Sequence, residues 1–226
     1  MRFFLFFVSI LIVSCGIKEK KAEPPVISKI AVCGEASDKL ISTLKGQSPA
    51  ELENSLKEKI ELNCVNSEGQ FPLSVAVEQG VNRNLEQLLE KGADVNFQNA
   101  QGESALHLAA KSGKLYLIQT LWGHRANLNI QDKTGKSPIH LSVQLGDILT
   151  SQFLLNNGVS IESRDNQNWT PLHFAASEGN LEMVKFLVEM KAKITAKNKS
   201  GHTPRQTALH TRKKDWTKVA NFLKAP

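Results

Sequence analysis

The strongest constraint in the chain is a spacing. Gly69, Gly102, Gly135, Asn168 and Gly201 stand at equal steps of 33 residues. The stretches that begin there read GQFPLSVAVEQG, GESALHLAAKSG, GKSPIHLSVQLG, NWTPLHFAASEG and GHTPRQTALH. Downstream, in the same register, come LEQLLEKGADVN, LIQTLWGHRANLN, TSQFLLNNGVSIE and MVKFLVEMKAKIT. A unit of this size cannot bury its apolar face alone, so successive units stack and share one continuous core.

Each unit carries the signals for two helices. Thr170-Pro171, Ser137-Pro138 and Thr203-Pro204 predict the start of the first, a hydroxyl able to cap free amides followed by a proline tolerated in the first turn. Gly80, Gly113, Gly146 and Gly179 predict its end in left-handed backbone. Leu172, Ala175 and Ala176, matched by Leu106, Ala109 and Ala110, are predicted core, the alanines letting neighbouring helices approach closely. The second helix carries Leu88-Leu89, Leu121-Trp122, Leu154-Leu155 and Leu187-Val188, all predicted to face the core, and Trp216 is assigned to packing with Trp122. Gly92 and Gly158 close that helix, while Arg125 and Lys191 take the same slot elsewhere. Left-handed backbone there costs each of those two about 1 kcal/mol.

The T-P-L-H-x-A core at this period resembles the ankyrin repeat, from about Ser37 to the end of the chain. The resemblance implies an all-α solenoid of stacked helix-turn-helix units with short hairpin loops, about six repeats including degenerate caps. Full repeats are expected over 67–99, 100–132, 133–165 and 166–198. A capping repeat is expected over 36–66, where Leu40, Leu52, Leu56 and Leu62 keep the pattern amid Lys39, Lys45, Lys57, Glu58 and Lys59. The other cap spans 199–226, with Val219, Phe222 and Leu223 in the second-helix pattern if about two residues are inserted near Arg212-Lys213-Lys214.

Ahead of the repeats, Arg2 precedes an apolar run from Phe3 to Val13, too short to cross a bilayer as a helix and similar to a secretory signal. Ile12-Val13-Ser14-Cys15 resembles the bacterial lipobox. That resemblance implies cleavage after residue 14 and lipidation of Cys15, with acyl chains held in the membrane by about 0.8 kcal/mol per methylene. Gly16, where an Asp would retain a proteobacterial lipoprotein at the inner membrane, implies the outer membrane and the periplasm. Residues 15–35, with Lys18-Glu19-Lys20-Lys21 and Pro24-Pro25, read as a tether. In an oxidising compartment the remaining cysteines, Cys33 and Cys64, favour a disulfide, with two buried free thiols as the alternative. Such a bond clips the tether to the first cap and stabilises the fold by about 3 to 4 kcal/mol on a chain-entropy basis.

Signs of chemistry are missing from the sequence. His107, His140 and His173 recur one repeat apart, but neighbours about 10 Å apart cannot share one ion. The resemblance gives them a hydrogen-bonding role within and between repeats. It likewise gives Asp132 and Asp165 a bracing role in the hairpin turn. His124, His202 and His210 show no ligand spacing, and no glycine elbow, Cys-His pair or phosphate loop is present. The expectation is therefore no catalysis, no metal, no cofactor and no small-molecule substrate.

Ankyrin stacks bind through hairpin tips and the exposed side of the first helices. Carried over position by position, the resemblance implies Gln101, Glu103, Lys111, Lys133, Lys136, Gln144, Leu145, Asn166, Trp169, Ser177, Glu178, Lys199 and His202 as partner-binding residues. Trp169 stands out as a solvated indole in a slot usually polar, and Phe97 is a weaker candidate. The segment from Lys191 onward carries +9 against −3 for the remainder, a feature suited to anionic headgroups, lipopolysaccharide or an acidic protein, or to a solvated outer face. Nucleic acid is a poor fit, because no aromatic platform interleaves the basic residues. The expectation is a monomeric, envelope-anchored scaffold that captures an unidentified protein. Two further readings are a periplasmic immunity protein that neutralises a secreted toxin such as a phospholipase effector, and an envelope or oxidative-stress accessory factor.

Overall fold

A computed structural model describes residues 31–46, 49–211, 213 and 215–224. The signal-like run, Cys15 and most of the tether lie outside the described residues, as do Arg212 and Lys214. Twelve α-helices are present among the described residues. The first helices of the six units are α1 (Glu35–Gly46), α3 (Pro72–Gln79), α5 (Ala105–Ser112), α7 (Pro138–Leu145), α9 (Pro171–Glu178) and α11 (Pro204–Thr211). The second helices are α2 (Pro49–Ser55), α4 (Asn82–Glu90), α6 (Leu115–Gly123), α8 (Ile148–Asn156), α10 (Leu181–Glu189) and α12 (Trp216–Phe222). Each first helix packs on its own second helix and on the first helix of the next unit, so the contact order follows the sequence and an all-α solenoid results. Extended pairing among the described residues is limited to the isolated bridges Val32–Val65 and Gln98–Ser104.

The core is one continuous cluster that runs through all the units. Leu106, Ala109 and Ala110 of α5 and Leu172, Ala175 and Ala176 of α9 are all buried, as are Leu88, Leu121, Leu154 and Leu187 on the second helices. The alanines have the effect expected of them, because a larger side chain at that slot would hold the first helices apart. Arg125 and Lys191 adopt φ of 66° and 70°, so both carry the backbone cost that glycine avoids at Gly92 and Gly158.

The hairpins repeat with equal regularity. Asn66, Asn99, Asp132, Asp165 and Asn198 stand one period apart, and in each the side-chain oxygen accepts two backbone N–H groups, from residues two and four further on. A short polar side chain that closes its own turn in this way fixes the hairpin without help from a sheet.

Both ends depart from the repeat in instructive ways. Leu40, Leu52, Leu56 and Leu62 are buried, so the first cap uses the slots the sequence assigned to it. The Cys33 and Cys64 sulfurs lie at disulfide distance, 2.22 Å, with Cα atoms 4.9 Å apart. Two backbone hydrogen bonds, Cys33 N–H to Val65 O and Val65 N–H to Ala31 O, hold the same strands of chain together. At the far end the expected triplet is corrected. Val219, Ala220 and Leu223 are the buried residues, whereas Phe222 is 42% exposed. They follow Met183, Val184 and Leu187 by 36 positions, so three residues, not two, are inserted, and that rotation turns Phe222 outward.

Candidate binding surface

A chain of hydrogen bonds through three buried histidines ties the first helices to the hairpins beside them. In α5 the N-cap Ser104 donates both its backbone N–H (3.1 Å) and its hydroxyl (2.9 Å) to His107 Nδ1, and His107 Nε2 lies 3.0 Å from Lys136 O. A carbonyl oxygen can only accept, so Nε2 carries the proton and Nδ1 is bare. Ser137 with His140, and Thr170 with His173, repeat the arrangement, reaching Ser163 O and His202 O respectively. The serine and threonine hydroxyls thus serve the imidazole as well as the helix start. Burial holds all three histidines below the ordinary value of 6.5, the carbonyl bond opposing it in part. These are structural groups, committed on both nitrogens. No cluster of three or more histidine, cysteine, aspartate or glutamate side chains suited to a metal occurs among the described residues.

The hairpin arms and the outward side of the first helices form one concave strip, and its floor is a ladder of side chains paired eight residues apart. Gln70 Nε2 donates to Glu78 (3.2 Å), Lys111 pairs with Glu103, and Lys136 Nζ donates to Gln144 (3.5 Å). Lys136 also stands 5.1 Å above the Phe174 ring. The fourth rung differs. Trp169, expected to be solvated, is half-buried, with its ring 5.1 Å from Phe174 and 6.0 Å from His173. Ser177 is buried and donates to Phe174 O at 2.9 Å, so it offers nothing to a partner. Phe97 is also half-buried, edge-on to Phe71 at 5.2 Å.

Beyond that rung the strip is bounded by the inserted turn of the last cap. Thr211 Oγ1 donates to Ser177 O (3.1 Å), and Lys213 Nζ pairs with Glu178 at 2.6 Å. Two hollows of about 600 and 430 Å³ adjoin here, and both are lined by Gln144, Leu145 and Glu178. Leu145 is 53% exposed at the end of α7, where the equivalent slots hold Gln79, Ser112 and Glu178. An exposed apolar side chain between two hollows, with polar groups beside it already paired, is a place where a partner's apolar group can be taken out of water. The sequence signal was a leucine in a slot otherwise polar.

The other residues assigned to the strip distribute along it. Gln101, Lys133, Asn166 and Lys199 are exposed at the hairpin tips, and His202 is half-exposed with its ring stacked on His210 at 4.4 Å. The tips are chained from one unit to the next. Lys133 N–H donates to Gln101 O, Asn166 N–H to Thr134 O, and Lys199 N–H to Gln167 O. Trp122, assigned to packing, is 46% exposed on the opposite, convex side, touching Phe153 edge-on at 5.7 Å.

Stacked helix pairs, braced hairpins and a continuous concave strip define a helical-repeat solenoid, a class whose open face is free to hold other molecules. The family model for ankyrin repeats, in three copies, matches residues 40–132 and 110–198, more than half the chain, and the protein belongs to that family. Ankyrin repeats are in general scaffolds for protein interaction. No curated protein matches the chain.

Proposed function

We propose that this protein is an envelope-anchored, non-catalytic scaffold that captures one protein partner in the concave strip, with Leu145 as the apolar anchor. The observation that carries the reading is the pair of hollows meeting at a half-exposed leucine, in the stretch of the strip between α7, α9 and the turn at Lys213. The rungs on either side are already paired within the chain, so a partner reaches Leu145 without leaving a buried charge unmatched. Lipidation at Cys15 and the tether to Cys33 supply location, and the repeats supply recognition.

A photo-reactive amino acid at residue 145 tests this in intact cells. The expected result is one dominant crosslinked protein, recovered from that position and absent when the label stands at Gln119, exposed on α6 and lining neither hollow. Equal labelling from both positions, or none from residue 145, contradicts the assignment.

A further inference from the structure

The outermost row of each second helix is occupied by three slots, and the row changes character along the stack. On α4 these slots hold Arg83, Glu86 and Glu90, and on α10 they hold Glu182, Lys185 and Glu189. Between them, α6 presents Tyr116, Gln119 and Gly123, and α8 presents Leu149, Gln152 and Asn156. All twelve residues are exposed. Neither α6 nor α8 contains a charged residue anywhere along its length, although one side of each faces solvent. Tyr116 is 45% exposed, Trp122 46% and Leu149 68%, with Phe153 half-buried against Trp122. A charge-free centre with apolar and amide side chains, flanked by charged rows, is the arrangement of a protein interface and its rim.

The charged flanks identify the occupant. Arg83 and Glu182 share a register position three repeats apart, and so do Glu86 and Lys185. A two-fold axis parallel to the helices, passing between α6 and α8, keeps every residue at its own height. It lays α6 over α8 of a second molecule and α4 over α10. Arg83 then faces the partner's Glu182, and Glu86 faces the partner's Lys185, so both pairs are of opposite sign and both are made twice. Tyr116 meets the partner's Leu149, and Gln119 meets the partner's Gln152, an amide against an amide. Glu90 and Glu189 meet as like charges, with Lys91 and Lys191 beside them. None of Arg83, Glu86, Glu182 and Lys185 has an ion-pair partner among the described residues, although Glu86 accepts a hydrogen bond from Asn82. We infer that the convex face of α6 and α8 is a self-complementary dimer interface between two copies of this chain. The monomer expected from sequence is replaced by a pair whose concave strips point away from each other. The inference does not rest on the partner proposed for Leu145, although Glu182, at the rim of this face, also lines the larger hollow beside that leucine.

Sedimentation velocity of the full chain in mild detergent tests it, read from about 1 to 100 µM. The expected result is a concentration-dependent dimer. Leu149→Asp, at an exposed position that leaves the melting temperature unchanged, weakens it by at least about thirtyfold. Arg83→Glu weakens it about tenfold, and adding Glu182→Arg restores the original constant. A chain that stays monomeric throughout overturns the proposal. So does a dimer that tolerates Leu149→Asp, or one in which the charge exchange fails to restore association. Recruitment to vesicles containing phosphatidylglycerol by a chain that remains monomeric would assign the face to lipid instead, and equally overturns it.

Discussion

Acidification from about pH 7 to pH 5.5 is expected to strip stability from this fold faster than from an ordinary domain of its size. The cause is the repeated histidine. In the folded chain His107, His140 and His173 are held neutral by burial, with values below 6.5. In the unfolded chain they are solvated and take up a proton as the pH falls past 6.5. The folded form therefore loses nothing above that value and loses ground below it, until the pH reaches the depressed folded values. Each histidine that stays neutral contributes a slope of up to about 1.4 kcal/mol per pH unit, so three approach about 4 kcal/mol per unit. A second proton has no place to go, because Nδ1 already accepts from the N-cap N–H and hydroxyl. Denaturant midpoints measured across this range check the slope. His140→Gln removes one titrating group and is expected to flatten it by about a third, at the cost of some stability at neutral pH. A slope that ignores that substitution contradicts the assignment.

Gly135→Ala is the second large effect. Gly135 has φ of +80°, and a Cβ placed on it would lie 2.5 Å from the backbone nitrogen of Asn166. That nitrogen donates to Thr134 O, and Asn166 Nδ2 donates to Lys133 O, so the clash falls on the links between two hairpins. Left-handed strain contributes about 1 to 2 kcal/mol and forced overpacking about 1 to 3 more. Gly201→Ala separates the two, because Gly201 shares the conformation, φ +77°, but has nothing within 4 Å of the added carbon. Thermal unfolding should place Gly201→Ala below the parent by the left-handed strain alone, about 1 to 2 kcal/mol, and Gly135→Ala lower still by the overpacking. Equal losses would mean that the hairpin links carry little.

Slots that obey the period are legible in the sequence for a simple reason. A buried slot in a stack sees the same neighbours in every unit, so Leu106 predicts Leu172, and Asp132 predicts Asp165. Exposure on the strip was less legible, because it depends on how large the neighbour is. Trp169 is covered since Phe174 stands where other repeats hold Leu108 and Leu141, and the larger ring extends far enough to receive the indole. Trp122 is exposed for the converse reason. Its slot buries Leu89, and an indole does not fit the same space. Ser177 was lost because the inserted turn at Lys213 folds back over it, and an insertion has no counterpart in the other repeats to predict its path.

Leu145 required no such knowledge, only the comparison with Gln79, Ser112 and Glu178 in the equivalent slots. Its ranking above Trp169 did require the structure. The charge-free outer rows of α6 and α8 were equally present in the sequence, and became a face only once the register placed them side by side.

The claim on which the functional reading stands is that the strip around Leu145 grips a protein. Titration of the crosslinked partner against the parent chain and a Gln144→Ala, Leu145→Ala variant measures it. A loss of about thirtyfold in affinity, about 2 kcal/mol, with an unchanged melting temperature is the predicted result. Affinity that survives the substitution, or substrate turnover by the purified chain alone, would contradict it.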